Sequence, residues 1–175
     1  MIVKLEKLTS MEEFKDMDKD VLTMKLEAIE NLIRAYTNNN FQNRTMRIEA
    51  AIENGVICGT CPYFKVGDTV QISQSMVNDG LYVITEIKDA GIVLDGEVFD
   101  FPLNTVTKII YPADVQKGVI DLLIWEKDNR SKVGIKSETI SRHSVTYYDQ
   151  DANNQVMGYP VSLLGFLKPY MKPRF

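Results

Sequence analysis

Leu22, Leu26, Ile29, Ile33 and Tyr36 recur at steps of four, three, four and three residues. That spacing puts all five on one stripe of a helix over about 18–36. Asp18 or Asp20 suits its start, and the run Asn38, Asn39, Asn40 suits its end, because asparagine tolerates the left-handed backbone that follows a helix. Upstream, Thr9 or Ser10 followed by Glu12 and Glu13 is loosely spaced as a capping box for a short helix. A second, shorter helical stretch is expected at about 44–53, with Met46, Ile48, Ala51 and Ile52 apolar and Asn54-Gly55 closing it.

The period changes at Phe64. From there to Tyr111 the chain is rich in Val, Ile, Thr, Tyr and Phe, and Asp79-Gly80 and Asp95-Gly96 are turn signals. Five short strands are predicted, near 69–74, 81–88, 91–94, 97–101 and 105–110. Strands this short suit a small antiparallel barrel, and Phe64-Lys-Val-Gly-Asp-Thr-Val70 resembles the first strand and turn of many SH3-like barrels. After Pro112 the helical period returns. Val115, Val119, Leu122 and Leu123 line one face of a helix over about 113–128, with Pro112 at its start. Residues 132–148 read as an extended arm with a polar turn, and 149–154 as a loop. Pro160 then opens a short helix, VSLLGFLK, which Pro169 is expected to stop.

The fold class expected from this pattern is α+β. A small helical bundle, 1–63 with 112–175, carries an inserted antiparallel β-barrel at 64–111, then an extended C-terminal arm and a short helix. Three short helices bury little surface, so the helical part is expected to gain stability by packing side by side with copies of itself.

Composition is that of an ordinary soluble globular domain, with 45% hydrophobic and 25% charged residues. No apolar run approaches the length of a membrane helix. Two cysteines and the absence of a signal-peptide pattern lead to the expectation of a reducing cytoplasm. The net charge of −4 argues against a general nucleic-acid binder. It is unevenly spread: residues 65–111 hold three cations against seven anions, while the last eight residues, KPYMKPRF, hold three cations and no anion.

Candidate chemistry is sparse. Cys58-Gly-Thr-Cys61 has redox or zinc spacing. Pro62 and strands follow it, however, so no helix start is there to stabilise a thiolate. A zinc site lacks two further ligands, because the one histidine, His143, is far along the chain. Two reduced structural cysteines are the plainer reading, with Cys58 and Cys61 kept as weak metal candidates. His143 has no G-x-S-x-G elbow and no acid partner. Asp149, Asp151 and Asn153 match the first, third and fifth positions of a calcium loop, but Asn154 stands for its glycine and Pro160 for its bidentate glutamate. No nucleotide loop or zinc-protease motif is present. The expectation is a protein that is not an enzyme and carries no cofactor.

The carboxyl-terminal third adds a resemblance. Ser137-Glu-Thr-Ile-Ser-Arg-His-Ser-Val-Thr-Tyr147 and Tyr159-Pro-Val-Ser-Leu-Leu-Gly-Phe-Leu-Lys-Pro-Tyr170 resemble the ending of tailed-bacteriophage head–tail connector proteins. In that family a core-packing helix leads into a serine-rich arm, and a short helix with a Leu-Leu-x-x-Leu-x-x-Tyr-like pattern closes the domain. Leu163, Leu164, Leu167 and Tyr170 match that pattern, and helix 18–36 is similar to the family's first long helix. The β-insert departs from it. The resemblance implies a virion protein of the head–tail junction, assembled in the host cytoplasm as a ring of about twelve subunits. The ring would dock on the portal protein, extend the DNA channel without sequence-specific binding or any membrane contact, and receive a stopper or tail-completion protein. Partner contacts are expected from the arm (Ile140, Val145, Tyr147), the closing helix (Leu163, Leu164, Leu167, Tyr170) and the tail (Met171, Lys172, Arg174, Phe175). The alternatives are an SH3-like module binding nucleic acid or protein, and a CxxC metal or redox protein.

Overall fold

The structure, a computed structural model, describes residues 1–130, 137–140, 143–146, 155–156 and 158–174, with 137–140 and 143–146 described through their backbone alone. The chain divides into two compact units. One is Asn40–Tyr111 with Met1, and the other joins Ile2–Asn39 to Pro112–Phe175.

The first unit corrects the expected fold class. The chain is not a helical bundle of connector type with a small insert, because its principal element is a six-stranded antiparallel barrel that opens at Asn40 rather than Phe64. Its strands are β1 (Gln42–Glu53), β2 (Val56–Ile57), β3 (Thr69–Ser73), β4 (Gly80–Lys88), β5 (Gly91–Leu94) and β6 (Phe101–Ile109). They are ordered β1-β2-β5-β4-β3-β6 and closed by β6 pairing back to β1. The segment expected to be a second helix is therefore the longest strand. Met46, Ile48, Ala50 and Ile52 alternate along it and pack on the barrel core with Ile57, Val70, Ile72, Ile84, Ile92 and Val106. A helix would have scattered these four residues around its surface. Asn54 and Gly55, at φ +52° and +76°, make the two-residue turn joining β1 to β2, a conformation hairpin turns need and few other residues adopt. The strand expected at 97–101 does not form, and β6 runs unbroken from Phe101.

The second unit holds α1 (Leu5–Thr9), α2 (Lys19–Thr37), α3 (Ala113–Asn129) and a 3₁₀ helix (Val161–Tyr170). The Asp18 carboxylate accepts from the backbone N–H groups of Asp20 and Val21, satisfying two donors that the first turn of α2 leaves open. Asn38 ends the helix in left-handed geometry at φ +50°. The 3₁₀ helix passes through Pro169 rather than stopping there, since a proline near its end removes a single N–H donor. Two small strand pairs complete the unit: β7 (Ser137–Ile140) with β8 (His143–Thr146), and β9 (Gln155–Val156) with β10 (Tyr159–Pro160).

The 3₁₀ helix lies against both α2 and α3. Leu22, Leu26, Ile29 and Ile33 of α2, Val115, Val119, Leu122 and Leu123 of α3, and Leu164 and Leu167 are all buried within a single copy. At about 1.5–3 kcal/mol per buried side chain, the four α2 residues alone contribute about 6–12 kcal/mol before entropy is set against them. The expectation that these stripes wait for a neighbouring copy is thus overturned, and any contact between copies must use other surfaces.

Candidate functional site

The carboxyl-terminal segment is laced onto the end of α2. The Lys172 N–H donates to the Thr37 carbonyl at 2.8 Å, and Arg174 donates to the Ala35 carbonyl at 2.8 Å. The Asn38 side chain donates to the Pro173 carbonyl at 2.7 Å, and the Asn39 side chain to the Tyr170 carbonyl at 3.0 Å. The last carbonyls of a helix have no partner of their own, and the tail supplies two. The asparagine run that ends α2 therefore also fastens the tail. Tyr170 donates to both carboxylate oxygens of Asp114, each at 2.8 Å, which ties the 3₁₀ helix to the start of α3. Those hydrogen bonds, with some burial and the carboxylate charge, hold the Tyr170 phenol above its ordinary range.

The expected partner-binding residues thus divide. Leu164 and Leu167 are core, Leu163 is half-buried, and Tyr170 is engaged by Asp114. Met171, Lys172 and Arg174 lie at the surface, with Lys168 one turn before them. Ile140 and Val145 fall on β7 and β8, paired Glu138 to Val145 and Ile140 to His143. Tyr147 and Phe175 lie outside the described residues, as do Asp149, Asp151 and Asn153 of the calcium-like loop. Cys61 is buried in the barrel core beside Phe64, while Cys58 is exposed, and both thiols are free. Among the described residues no group of three or more His, Cys, Asp or Glu side chains is placed to hold a metal.

Two polar constellations were not anticipated from the sequence. In the helical unit, Glu126 accepts from Lys25 at 2.8 Å and from the Tyr159 hydroxyl at 3.0 Å, with Arg130 beside it. Burial works to raise the Glu126 pKa, but the two hydrogen bonds and the Lys25 and Arg130 charges outweigh it and hold the carboxyl below its usual range. Burial, then the Glu126 charge and hydrogen bond, push the Tyr159 phenol far up. Trp125 packs against Tyr159 in a tilted arrangement, with ring planes at 58° and centroids 5.6 Å apart. In the barrel, Asn78 and Asn104 are buried and joined side chain to side chain, and Asn78 also grips both the N–H and the C=O of Phe99 at 2.8 Å. Only the neighbouring Asp79-Gly80 turn hinted at this second cluster.

Charge follows the division into units. Residues 40–111 hold five cations and nine anions, so the barrel carries the whole net charge of −4, and the rest of the chain is balanced at fifteen of each. No protein-family model matches this chain, and no curated protein matches it.

Proposed function

We propose that this chain is a structural subunit of the head–tail junction of a tailed bacteriophage, part of a ring that docks on the portal protein and carries the next component of the tail. The observation that carries this reading is the order of elements after Pro112. A core-packing helix, α3, leads to the two-stranded β7–β8 arm, and a short helix closes the unit with Leu164 and Leu167 in the core and Tyr170 held by Asp114. The resemblance calls for a helix, an arm and a closing helix in this order, which supports the reading for Leu164, Leu167 and Tyr170, whereas Leu163 is only half-buried. Among the described residues β7 and β8 pair with no other strand, so the arm offers backbone edges of the kind that add to another sheet. A barrel charged −4 also repels a passing nucleic acid rather than holding it.

The mass of the particle in solution, with and without a portal ring, tests the proposal. The expected result is many copies loaded per portal ring, unchanged when Cys58 and Cys61 are both replaced by serine. A chain that ignores the portal at all concentrations refutes it. Stoichiometric bound zinc that is required for assembly would favour a metal protein instead.

A further inference from the structure

Two loops at one end of the barrel are built as a single rigid tip. Residues 74–79 join β3 to β4, and residues 95–100 join β5 to β6. The Asn78 side chain bonds to both backbone groups of Phe99, and the Tyr82 hydroxyl donates to the Asn78 carbonyl at 3.0 Å. The Ser75 N–H donates to Asp79 at 2.8 Å, and Thr105 donates to the Gln74 side chain at 2.9 Å. Gln74 and Met76 are held at φ +63° and +64°, a left-handed backbone that neither residue type favours. Such strain persists only where the surroundings over-determine it.

What this bracing presents to solvent is apolar. Met76 is 87% exposed, Phe99 56% and Val77 54%. Scattered apolar side chains need no explanation, but three on two loops locked together form a patch. Exposed Asp79, Asp95, Glu97 and Asp100 belong to the same two loops. Tyr82 registers that field, its phenol raised by burial and then by the charges of Asp79 and Asp95. The occupant that fits is apolar at its centre and basic around it. Among the described residues such a surface occurs at 168–174, where Lys168, Lys172 and Arg174 flank Met171 in the chain, all four exposed, Met171 at 49%, with no anion in the segment.

We propose that the barrel tip is a self-association surface, seating Met76, Val77 and Phe99 of one copy against Met171 and its flanking lysines on a second copy. The two surfaces differ, so the contact is head-to-tail, and repetition either closes into a ring or runs on as a filament. This deepens the ring reading of the preceding subsection and rests on it only for closure around a channel.

Sedimentation of the full chain over a wide concentration series, at low and at high salt, reads the contact directly. The wild-type chain is expected to associate beyond the dimer at low salt and less at high salt. A tip variant, Met76→Glu with Phe99→Glu, and a tail variant, Lys168→Glu with Lys172→Glu, are each expected to weaken association by at least about tenfold, about 1.4 kcal/mol. All four residues are exposed, and unchanged melting of both variants confirms that folding is intact. An equimolar mixture of the two retains one good tip and one good tail, so it is expected to form a 1:1 heterodimer and nothing larger. A wild-type monomer at every concentration overturns the proposal, as does either variant associating like wild type. A monomer that still loads onto a portal ring in many copies removes this contact and leaves the connector reading in place. Tip-dependent association with no portal binding does the reverse.

Discussion

Gly91 opens β5 at φ +150°, directly across from β2. A Cβ at that position would stand 2.0 Å from the Ile57 carbonyl oxygen, 3.0 Å from its carbon and 2.9 Å from a Val56 methyl. The obstacle is backbone, so no side chain can swing aside. β2 is only two residues long, yet it is the strand that links β1 to β5 and so completes the barrel. Gly91→Ala therefore forces β2 away from β5 and opens the barrel at its thinnest joint. The unfavourable φ costs about 1–3 kcal/mol, and overpacking a site that cannot yield adds about 1–3 kcal/mol. A total near 4 kcal/mol corresponds to a fall of about 15–30 °C in Tm for a unit of this size. Gly55→Ala is the control. Its φ is +76°, but nothing lies within 4 Å of the new Cβ, so only the backbone term of about 1 kcal/mol applies. Calorimetry or near-ultraviolet circular dichroism of the full chain distinguishes them. If Gly91→Ala melts no lower than Gly55→Ala, the account of β2 as a steric joint is wrong.

Gly118→Ala sets helix propensity, which favours alanine by about 1 kcal/mol, against a Cβ placed 2.4 Å from the Phe166 ring. A net loss of about 1–2 kcal/mol is expected by chemical denaturation, with Phe166→Leu in the same chain recovering most of it. Glu126→Gln removes the charge that Lys25 and Tyr159 engage, at a cost of about 2 kcal/mol near neutral pH. Because the folded Glu126 pKa lies below its unfolded value, its contribution is full above the unfolded value and fades as pH falls through the folded one. The gap between wild type and Glu126→Gln should accordingly narrow on acidification, and a gap independent of pH contradicts the assignment. Tyr159 works in the opposite sense: its raised pKa gives stability that is present below about pH 10 and lost as pH rises further, and Tyr159→Phe should remove that alkaline dependence. Asn78→Ala strips partners from the Phe99 backbone and from buried Asn104, so a loss of about 2–4 kcal/mol is expected, with faster amide exchange at Phe99.

Local signals marked the ends of α2 and the start of α3, whereas Thr9 and Ser10, expected to open a short helix, close α1, and Pro169 does not stop the last helix. Asp18 caps α2 and Asn38 ends it, as the aspartate and the asparagine run suggest, and Pro112 stands at the start of α3. The error at 44–53 arose because Met46, Ile48, Ala51 and Ile52 can be placed on a helix, whereas Met46, Ile48, Ala50 and Ile52 alternate as a strand. The β-branched residues and the Asn54-Gly55 turn favoured the strand, and β6 pairing across more than fifty residues decided it. Such long-range pairing leaves no trace in a local window. The tail's attachment was hidden for the same reason. Lys172 and Arg174 are expected from the sequence to meet a partner, and only the fold brings them to the open carbonyls of α2. The Asn78–Asn104 lock depends on two asparagines that look like ordinary turn residues until burial is known.

The chain enters and leaves the barrel through neighbouring strands. Gln42 pairs with Ile109, the Ile110 N–H reaches the Phe41 carbonyl at 3.0 Å, and the Phe41 and Tyr111 rings meet at 4.8 Å. Paired residues of antiparallel strands lie only about 5 Å apart, so 40–111 is a cassette with a single narrow doorway. A few residues of turn could span that doorway once the cassette is cut out, and a different module with equally close ends could be fitted in its place. The junction from α2 to α3 is thus a natural exchange point, where whole domains can be gained, lost or swapped while the helical frame keeps its own core.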